Sequence, residues 1–179
     1  SFVLLCFLPL GIFISLFILL ESRGGIFFKQ IRIGQNSVPF GLYKFRSMLT
    51  NAEAGGKITV GSRDPRITRI GYYLRKFKLD EFPQFINILK GDMAVIGPRP
   101  ERPVFVKEIA EVMPFYETRH VVKPGLTGWA QVNYSYGATI DDSLIKLQYD
   151  LYYIKHRSLF LDFNIIFKTL STVLFYRGQ

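Results

Sequence analysis

The chain opens on a run of 20 residues, Ser1 to Leu20, without a single charge. As a helix it would reach about 30 Å, the thickness of a bilayer's hydrocarbon core. Pro9 and Gly11 lie inside the run. Proline there removes a backbone hydrogen bond and crowds the preceding turn. A signal peptide would need a basic start and a small-residue cleavage site, and this start has neither. A straight span and a broken, re-entrant helix remain. Many spans tolerate proline, so the residues alone favour the straight span. Between Ser22 and Ala52 the charges are Arg23, Lys29, Arg32, Lys44 and Arg46, with no acid. Cations directly after an apolar segment mark a cytosolic side and attract anionic lipid.

The pattern then changes. From Ile26 to Met48 it reads as short strands broken at Gly34, Pro39 and Gly41, with alternation over Phe40–Phe45 that suits a hairpin arm. Thr50 to Asp64 reads as a Gly-rich polar loop. Ile67, Ile70, Leu74 and Phe77 recur at helical spacing and predict a helix from Pro65. A second helix is predicted from Asp80, with Pro83 in its first turn, Phe82, Phe85, Ile86 and Leu89 inward, and Gly91 at its end. A Pro-rich loop follows over Gly97–Pro103, then a mixed helical stretch over Glu101–Glu117. Pro124-Gly125 signals a turn, and Gly128–Val132 reads as a short strand. Two helices complete the chain, Asp141–His156 and Ser158–Phe175. The second places Phe160, Phe163, Phe167, Leu170 and Leu174 on one side. That face suits either core packing or a membrane interface. The expected fold class is α+β and mainly helical, with a small β element.

Composition narrows the possibilities. The 179 residues carry 23 Lys and Arg against 14 Asp and Glu, a net charge of +9. Such a surplus points to a polyanion: nucleic acid, lipid headgroups or a phosphorylated substrate. A hydrophobic share of 49% excludes a disordered basic tail. Cys6 is the lone cysteine, so no intramolecular disulfide and no Cys-based zinc site can form. His120 and His156 read as structural.

The adjacent carboxylates Asp80 and Glu81 are the most informative pair. One reading makes Asp80 an N-cap and Glu81 a first-turn acid favoured by the helix dipole. The other has the helix N-terminus holding Asp80 ionised, as a nucleophile or a hard ligand for Mg²⁺. Cations surround the pair in sequence: Lys44, Arg46, Arg63, Arg66, Arg69, Arg75, Lys76, Lys78 and Arg99. Arg99 lies between Pro98 and Pro100, a stiff mount for a guanidinium fork that suits a diphosphate. Trp129 and Gln131 suit a base platform, although such a tryptophan more often serves a core. Asp150 reads either as facing a site or as a surface acid paired with Lys146. No P-loop and no GxGxxG signature is present.

Five ordered segments now resemble the bacterial sugar transferase family of monotopic phosphoglycosyl transferases. They are YKFRSM (Tyr43–Met48), DPRITRIGYYLRKFKLDEFPQ (Asp64–Gln84), LKGDMAVIGPRPERP (Leu89–Pro103), RHVVKPGLTGWAQVN (Arg119–Asn133) and YDLYYIKHRSLFLDF (Tyr149–Phe163). The resemblance implies transfer of a sugar-1-phosphate, expected to be a hexose-1-phosphate, from a UDP-sugar to undecaprenyl phosphate. UMP would be released through an aspartyl-phosphosugar intermediate. It implies Asp80 as nucleophile with Mg²⁺ at that side chain, and Glu81 as its partner in metal or proton handling. Lys44, Arg46, Arg75, Arg99, Gln131 and Asp150 become substrate-site residues. Pro9 matches the proline that breaks a re-entrant membrane helix, which reverses the preference for a straight span. The implied organisation is a re-entrant helix over residues 1–22 and a cytosolic catalytic domain over residues 23–179, with amphipathic interfacial helices. The implied location is the cytoplasmic face of the bacterial inner membrane. Membrane lipid is a further implied partner, a homodimer is allowed, and nucleic acid is not expected.

One departure bears on the donor. Where many relatives read VNGR, this chain reads VNYSYG, Val132–Gly137, and lacks that arginine. The family also suggests a longer parent protein. Two other classes stay in view. A non-catalytic basic adaptor at the membrane surface would bind anionic lipid without chemistry. A nucleic-acid binder would explain the charge but not the apolar first segment.

Overall fold

The computed structural model describes residues 2–50, 52, 64–134 and 139–174; for 2–8 and 173–174 it describes the backbone alone. The chain forms two compact units, Ser1–Lys29 with Tyr43–Ile86, and Gln30–Leu42 with Asn87–Gln179.

The first unit begins with α1, Phe2–Glu21, whose course includes Pro9. Only Ile14 and Ile18 of its described apolar residues are buried; Ile12, Phe13 and Leu20 are among those left exposed. Among the described residues, no helix is long and apolar enough to cross a membrane. A hairpin follows, β1 at Phe27–Ile33 and β2 at Pro39–Phe45, as the alternation predicts. Residues 27–29 and 43–45 of it belong to this unit. Phe27 stacks on Phe45 at 5.5 Å between ring centroids.

The helix expected from Pro65 starts later, as α2, Arg69–Lys76. Thr68 is its N-cap, accepting from the Gly71 amide at 2.9 Å. Ile67 instead pairs with Met48 in an isolated antiparallel bridge, and the Asp64 carboxylate holds the Arg66 side chain. Phe77, expected inward, is 42% exposed, because the helix ends at Lys76 and turns its Leu74 face to the core. That core unites Ile14, Ile18, Phe45 and Leu74 with Ile26, Ile70, Leu79 and Phe82.

The helix expected from Asp80 is also delayed. Lys78 adopts a left-handed conformation (φ 57°), Leu79–Glu81 form a single 3₁₀ turn, and α3 runs over Gln84–Lys90. Its inward face is polar: Gln84 and Asn87 are buried while Leu89 is 59% exposed, against expectation. Asn87 earns its burial by donating from Nδ2 to the Gly41 carbonyl and to Asp92 Oδ2. Periodicity could not anticipate the burial of Asn87, because hydrogen bonding rather than hydropathy places it.

The second unit is built on a short parallel pair, β3 at Ala94–Ile96 and β4 at Gly125–Thr127. Ala94 registers with Gly125 and Ile96 with Thr127. The strand read at Gly128–Val132 is therefore displaced: the extended residues precede it, and Trp129–Asn133 form α5. Three residues are too few to show a period, so this pairing left no signal in the pattern. α4, Pro103–Val112, covers the first part of the predicted helical stretch, and Tyr116–Val121 continue as 3₁₀ turns. α6, Ile140–Lys155, carries a capping box from Thr139 and Asp142. α7, Leu159–Leu174, buries Leu161 and Ile165. Its other apolar face, Phe160, Phe163, Phe167 and Leu170, is exposed by 79, 58, 70 and 53%. Among the described residues the phenylalanine stripe does not pack into the core. The loop read at Thr50–Asp64 lies largely outside the described residues, as do Arg63 and residues 135–138 of the VNYSYG stretch.

Candidate active site

Four of the residues singled out from the sequence meet in the first unit. β2 presents Lys44, whose Nζ donates to Glu81 Oε1 at 2.8 Å. α2 presents Arg75 near its C-terminus, and Arg75 Nε donates to Ser47 Oγ at 3.0 Å. Both charges act on Asp80, which is only 6% exposed. The close fit of α2 on the strand end has a sequence cause. A Cβ at position 71 would collide with the backbone of Ser47, so Gly71 alone lets the helix approach. Ser47 is a site residue that sequence reading passed over, although it stands in the YKFRSM segment.

The electrostatics of Asp80 differ from expectation. A helix N-terminus was to depress its pKa, but α3 begins only at Gln84 and Asp80 sits in a one-turn 3₁₀ segment. Burial pushes the carboxyl above its ordinary value, and the neighbouring Glu81 charge adds to that. Lys44, Arg75 and Lys78 act in the opposite direction. The result is a desolvated carboxyl held among three cations. A further positive charge beside it would favour its ionised form. Arg46, grouped with the phosphate ligands by sequence, is buried and turned elsewhere. Its guanidinium donates to the carbonyls of Ile18, Ser22 and Arg23.

The other expected site residues belong to the second unit. Asp150 is 1% exposed and accepts from Arg119 Nε at 3.0 Å and Nη2 at 2.7 Å. Asp150 is thus no surface acid: it pairs with Arg119, and the Lys146 charge also acts on it. Arg119 also donates to Tyr116 Oη at 2.8 Å and to the Arg99 carbonyl at 2.9 Å. Arg99 itself is half-buried between two buried prolines. Gln131 donates from Nε2 to the Leu126 carbonyl at 3.1 Å, and its Oε1 is buried with no partner among the described residues. Trp129 packs against the cluster of Tyr153, Leu161 and Ile165, with Lys168 Nζ 4.6 Å from its ring centroid. His120 accepts or shares a proton with Ser37 Oγ at 3.1 Å, and His156 lies against Tyr152. Both fit their structural reading.

A divalent cation was expected at Asp80. Among the described residues no cluster of three or more His, Cys, Asp or Glu could hold a metal. Mg²⁺ does not need one, since it commonly binds through one or two carboxylates and the substrate's phosphates. The adjacent Asp80 and Glu81 side chains supply carboxylate oxygens of the hard type that Mg²⁺ takes, and a bound cation would offset the burial that disfavours the ionised form of Asp80.

The comparisons with known proteins bear on this site. A 168-residue stretch is 49% identical to UDP-N-acetylgalactosamine-undecaprenyl-phosphate N-acetylgalactosaminephosphotransferase of Aeromonas hydrophila, covering 94% of this chain and 40% of that protein. UDP-glucose:undecaprenyl-phosphate glucose-1-phosphate transferase of Escherichia coli (strain K12) is 38% identical over 174 residues, 95% of this chain and 37% of that one. The exopolysaccharide production protein PSS of Rhizobium leguminosarum bv. phaseoli is 39% identical over 178 residues, covering 88% of its length. The chain thus spans about two fifths of the first two relatives. The family profile described as bacterial sugar transferase matches residues 1–176, and with the buried Asp80, Glu81, Lys44 and Arg75 assembled in one unit, this chain belongs to the bacterial sugar transferase family.

Proposed function

We propose that the protein transfers a sugar-1-phosphate from a UDP-sugar to undecaprenyl phosphate, releasing UMP, as the first membrane step of a glycan assembly pathway. The observation that carries this reading is the buried Asp80 carboxyl set among Lys44, Arg75 and Lys78, with Glu81 beside it. An oxygen of Asp80 attacks the sugar-bearing phosphorus of the donor. The bond from that phosphorus to the bridging oxygen breaks, and UMP leaves with the electron pair. A phosphate oxygen of undecaprenyl phosphate then attacks the same phosphorus, freeing Asp80 and forming the lipid diphosphosugar. Two in-line displacements through an aspartyl-phosphosugar replace one difficult transfer. Lys44 and Arg75 neutralise charge on the phosphoryl oxygens, and the Lys44 contact fixes Glu81 beside the nucleophile.

Asp80, assisted by Glu81, would hold Mg²⁺ together with the donor phosphates; when bound, the ion supplies further charge neutralisation there. The cargo in this reading is a hexose-1-phosphate. An N-acetylhexosamine phosphate is the competing cargo, since one relative is named for N-acetylgalactosamine. The acceptor's polyprenyl chain costs about 0.8 kcal/mol per CH₂ to withdraw from lipid, so the chemistry belongs at a membrane surface. The exposed apolar side chains of α1 suit that setting, with Pro9 as the break of a re-entrant helix. So does the phenylalanine face of α7, lying at the interface. The location in this reading is the cytoplasmic face of the bacterial inner membrane.

The test is UMP release from a panel of UDP-sugars, in membranes carrying undecaprenyl phosphate, with and without Mg²⁺. Transfer that Asp80→Asn abolishes, with labelled donor trapped on Asp80 in the wild type, is the expected result. Vesicle binding without UMP release from any donor would instead favour the non-catalytic adaptor.

A further inference from the structure

We infer that Arg46 and Glu21 are positioning residues that clamp the end of the apolar helix α1 to the segment carrying Asp80, so that the seating of α1 sets the surroundings of the nucleophile. The inference rests on the transfer reaction proposed above.

The clamp has two halves, and each satisfies a helix terminus with a charge of the right sign. The last carbonyls of a helix lack internal partners and carry the negative end of its dipole. At the end of α1 the Arg46 guanidinium meets Ile18 O, which also accepts from the Ser22 amide, and the carbonyls of Ser22 and Arg23 in the turn that follows Glu21. Arg46 Nη1 donates to Arg23 O at 2.8 Å, and its Nη2 to Ser22 O at 2.6 Å and Ile18 O at 3.3 Å. Arg46 is 7% exposed, so this is a committed contact rather than a surface encounter. The first amides of a helix have the opposite need. At α2 the Glu21 carboxylate accepts from the amides of Arg69 at 2.6 Å and Ile70 at 2.9 Å. The last residue of α1 therefore caps the start of α2, while the strand end before α2 caps α1.

Gly24 makes the first half possible. It holds φ +127°, and a Cβ there would lie within 2.6 Å of both Arg46 Nη1 and Thr50 Cγ2, too close for either to stay in place. The sequence keeps a residue without a side chain where the guanidinium must pass.

From the clamp to the nucleophile the route is short and continuous. Arg46 follows Lys44 by two residues, and Lys44 holds Glu81. Ser47 follows Arg46, and its Oγ accepts from Arg75. Ile14 and Ile18 of α1 share a core with Leu79 and Phe82, the residues on either side of the Asp80–Glu81 pair. Displacing α1 therefore disturbs the packing under Asp80 and the strand that carries Lys44. The charged groups facing Asp80 are Lys44 from β2, Arg75 from α2, and Lys78 and Glu81 from its own segment. Arg46 acts through these and is not itself a phosphate ligand.

The experiment uses the full chain in vesicles containing undecaprenyl phosphate, with UMP release as the rate. The variants are Arg46→Lys, which cannot span three carbonyls, Glu21→Gln at an exposed position, and Gly24→Ala, which obstructs Arg46 without touching substrate. Each is expected to lower kcat between about ten- and a hundredfold, the usual effect of a small misplacement. Donor KM should stay within about twofold, and the acidic limb of the kcat–pH profile should shift. A raised donor KM with kcat retained in Arg46→Lys would overturn the inference and make Arg46 a phosphate ligand. Lower thermal stability with kcat and the pH profile intact would overturn it equally, by reducing the clamp to a fold support. If Arg46→Lys does not fold, Glu21→Gln and Gly24→Ala decide the matter by the same readouts. An inactive wild type, or an active Asp80→Asn, refutes the proposed reaction rather than the clamp.

Discussion

In the proposed reaction Asp80 sets stability against chemistry. Burial raises its pKa above the ordinary 3.8, so the folded state disfavours the ionised form. The sign follows: the cost is absent below 3.8 and fully present once the pH exceeds the raised folded value. Asp80→Asn should therefore melt at a higher temperature than wild type at pH 7.5, with the difference closing near pH 4. A scan showing lower stability at both pH values would mean that Lys44, Arg75 and Lys78 outweigh the burial. His120 titrates in the opposite sense. Burial, then the Arg119 charge, lowers its pKa from 6.5 to about 4. Its cost is nil above pH 6.5, grows as pH falls toward 4, and is complete below. Thermal scans should show stability declining across that window in wild type and a flatter profile in His120→Asn. The sequence displayed Asp80, Glu81, Lys44 and Arg75 through motif chemistry. It did not display the Arg119–Asp150 pair, because 31 residues separate partners that burial alone brings together.

Elements followed the pattern wherever their period was long enough to see. α6 and α7 lie within a few residues of their predicted bounds, and the β1–β2 hairpin stands where alternation placed it. The late starts of α2 and α3 have local causes that hydropathy cannot register: the Thr68 cap, and the left-handed Lys78 with the 3₁₀ turn after it. Gly71 offers a test at this scale, since two effects oppose each other. Alanine in a helix interior gains about 1 kcal/mol over glycine. Here its Cβ would strike the Ser47 backbone, which cannot rotate away, and overpacking costs about 1–3 kcal/mol. The clash should win, so Gly71→Ala is expected to lower the urea midpoint. It should also lower activity by moving Arg75 from Ser47. A raised midpoint would mean that α2 retreats freely from the strand.

At the scale of the molecule, both units leave apolar helix surface uncovered. A helix with one buried stripe and a second exposed aromatic stripe has more apolar face than its own fold consumes. On α7 the buried stripe is Leu161 and Ile165, while Phe160, Phe163 and Phe167 face outward. Each phenylalanine buried in an acyl boundary contributes about 1.5–3 kcal/mol. Changing all three to serine should reduce partitioning onto anionic vesicles about a thousandfold or more, with the circular dichroism spectrum preserved. Unchanged flotation with the vesicles would remove this face from the lipid contact. The exposed apolar side chains of α1 and the charge of +9 would then account for the attraction, and high salt would weaken the share due to charge.

The sequence by itself determined the family, the apolar opening helix, the hairpin and the long C-terminal helices, and it singled out the Asp80–Glu81 pair. Those features are written as local periods or as contiguous motifs, which need no partner to be read. Tertiary structure decided what burial and distant pairing control. It made Asp80 a desolvated group in a 3₁₀ turn rather than a helix cap, gave Asp150 to Arg119, and turned Arg46 onto the end of α1. A charge's role depends on what lies within a few ångströms of it, and that neighbourhood exists only after the chain has folded.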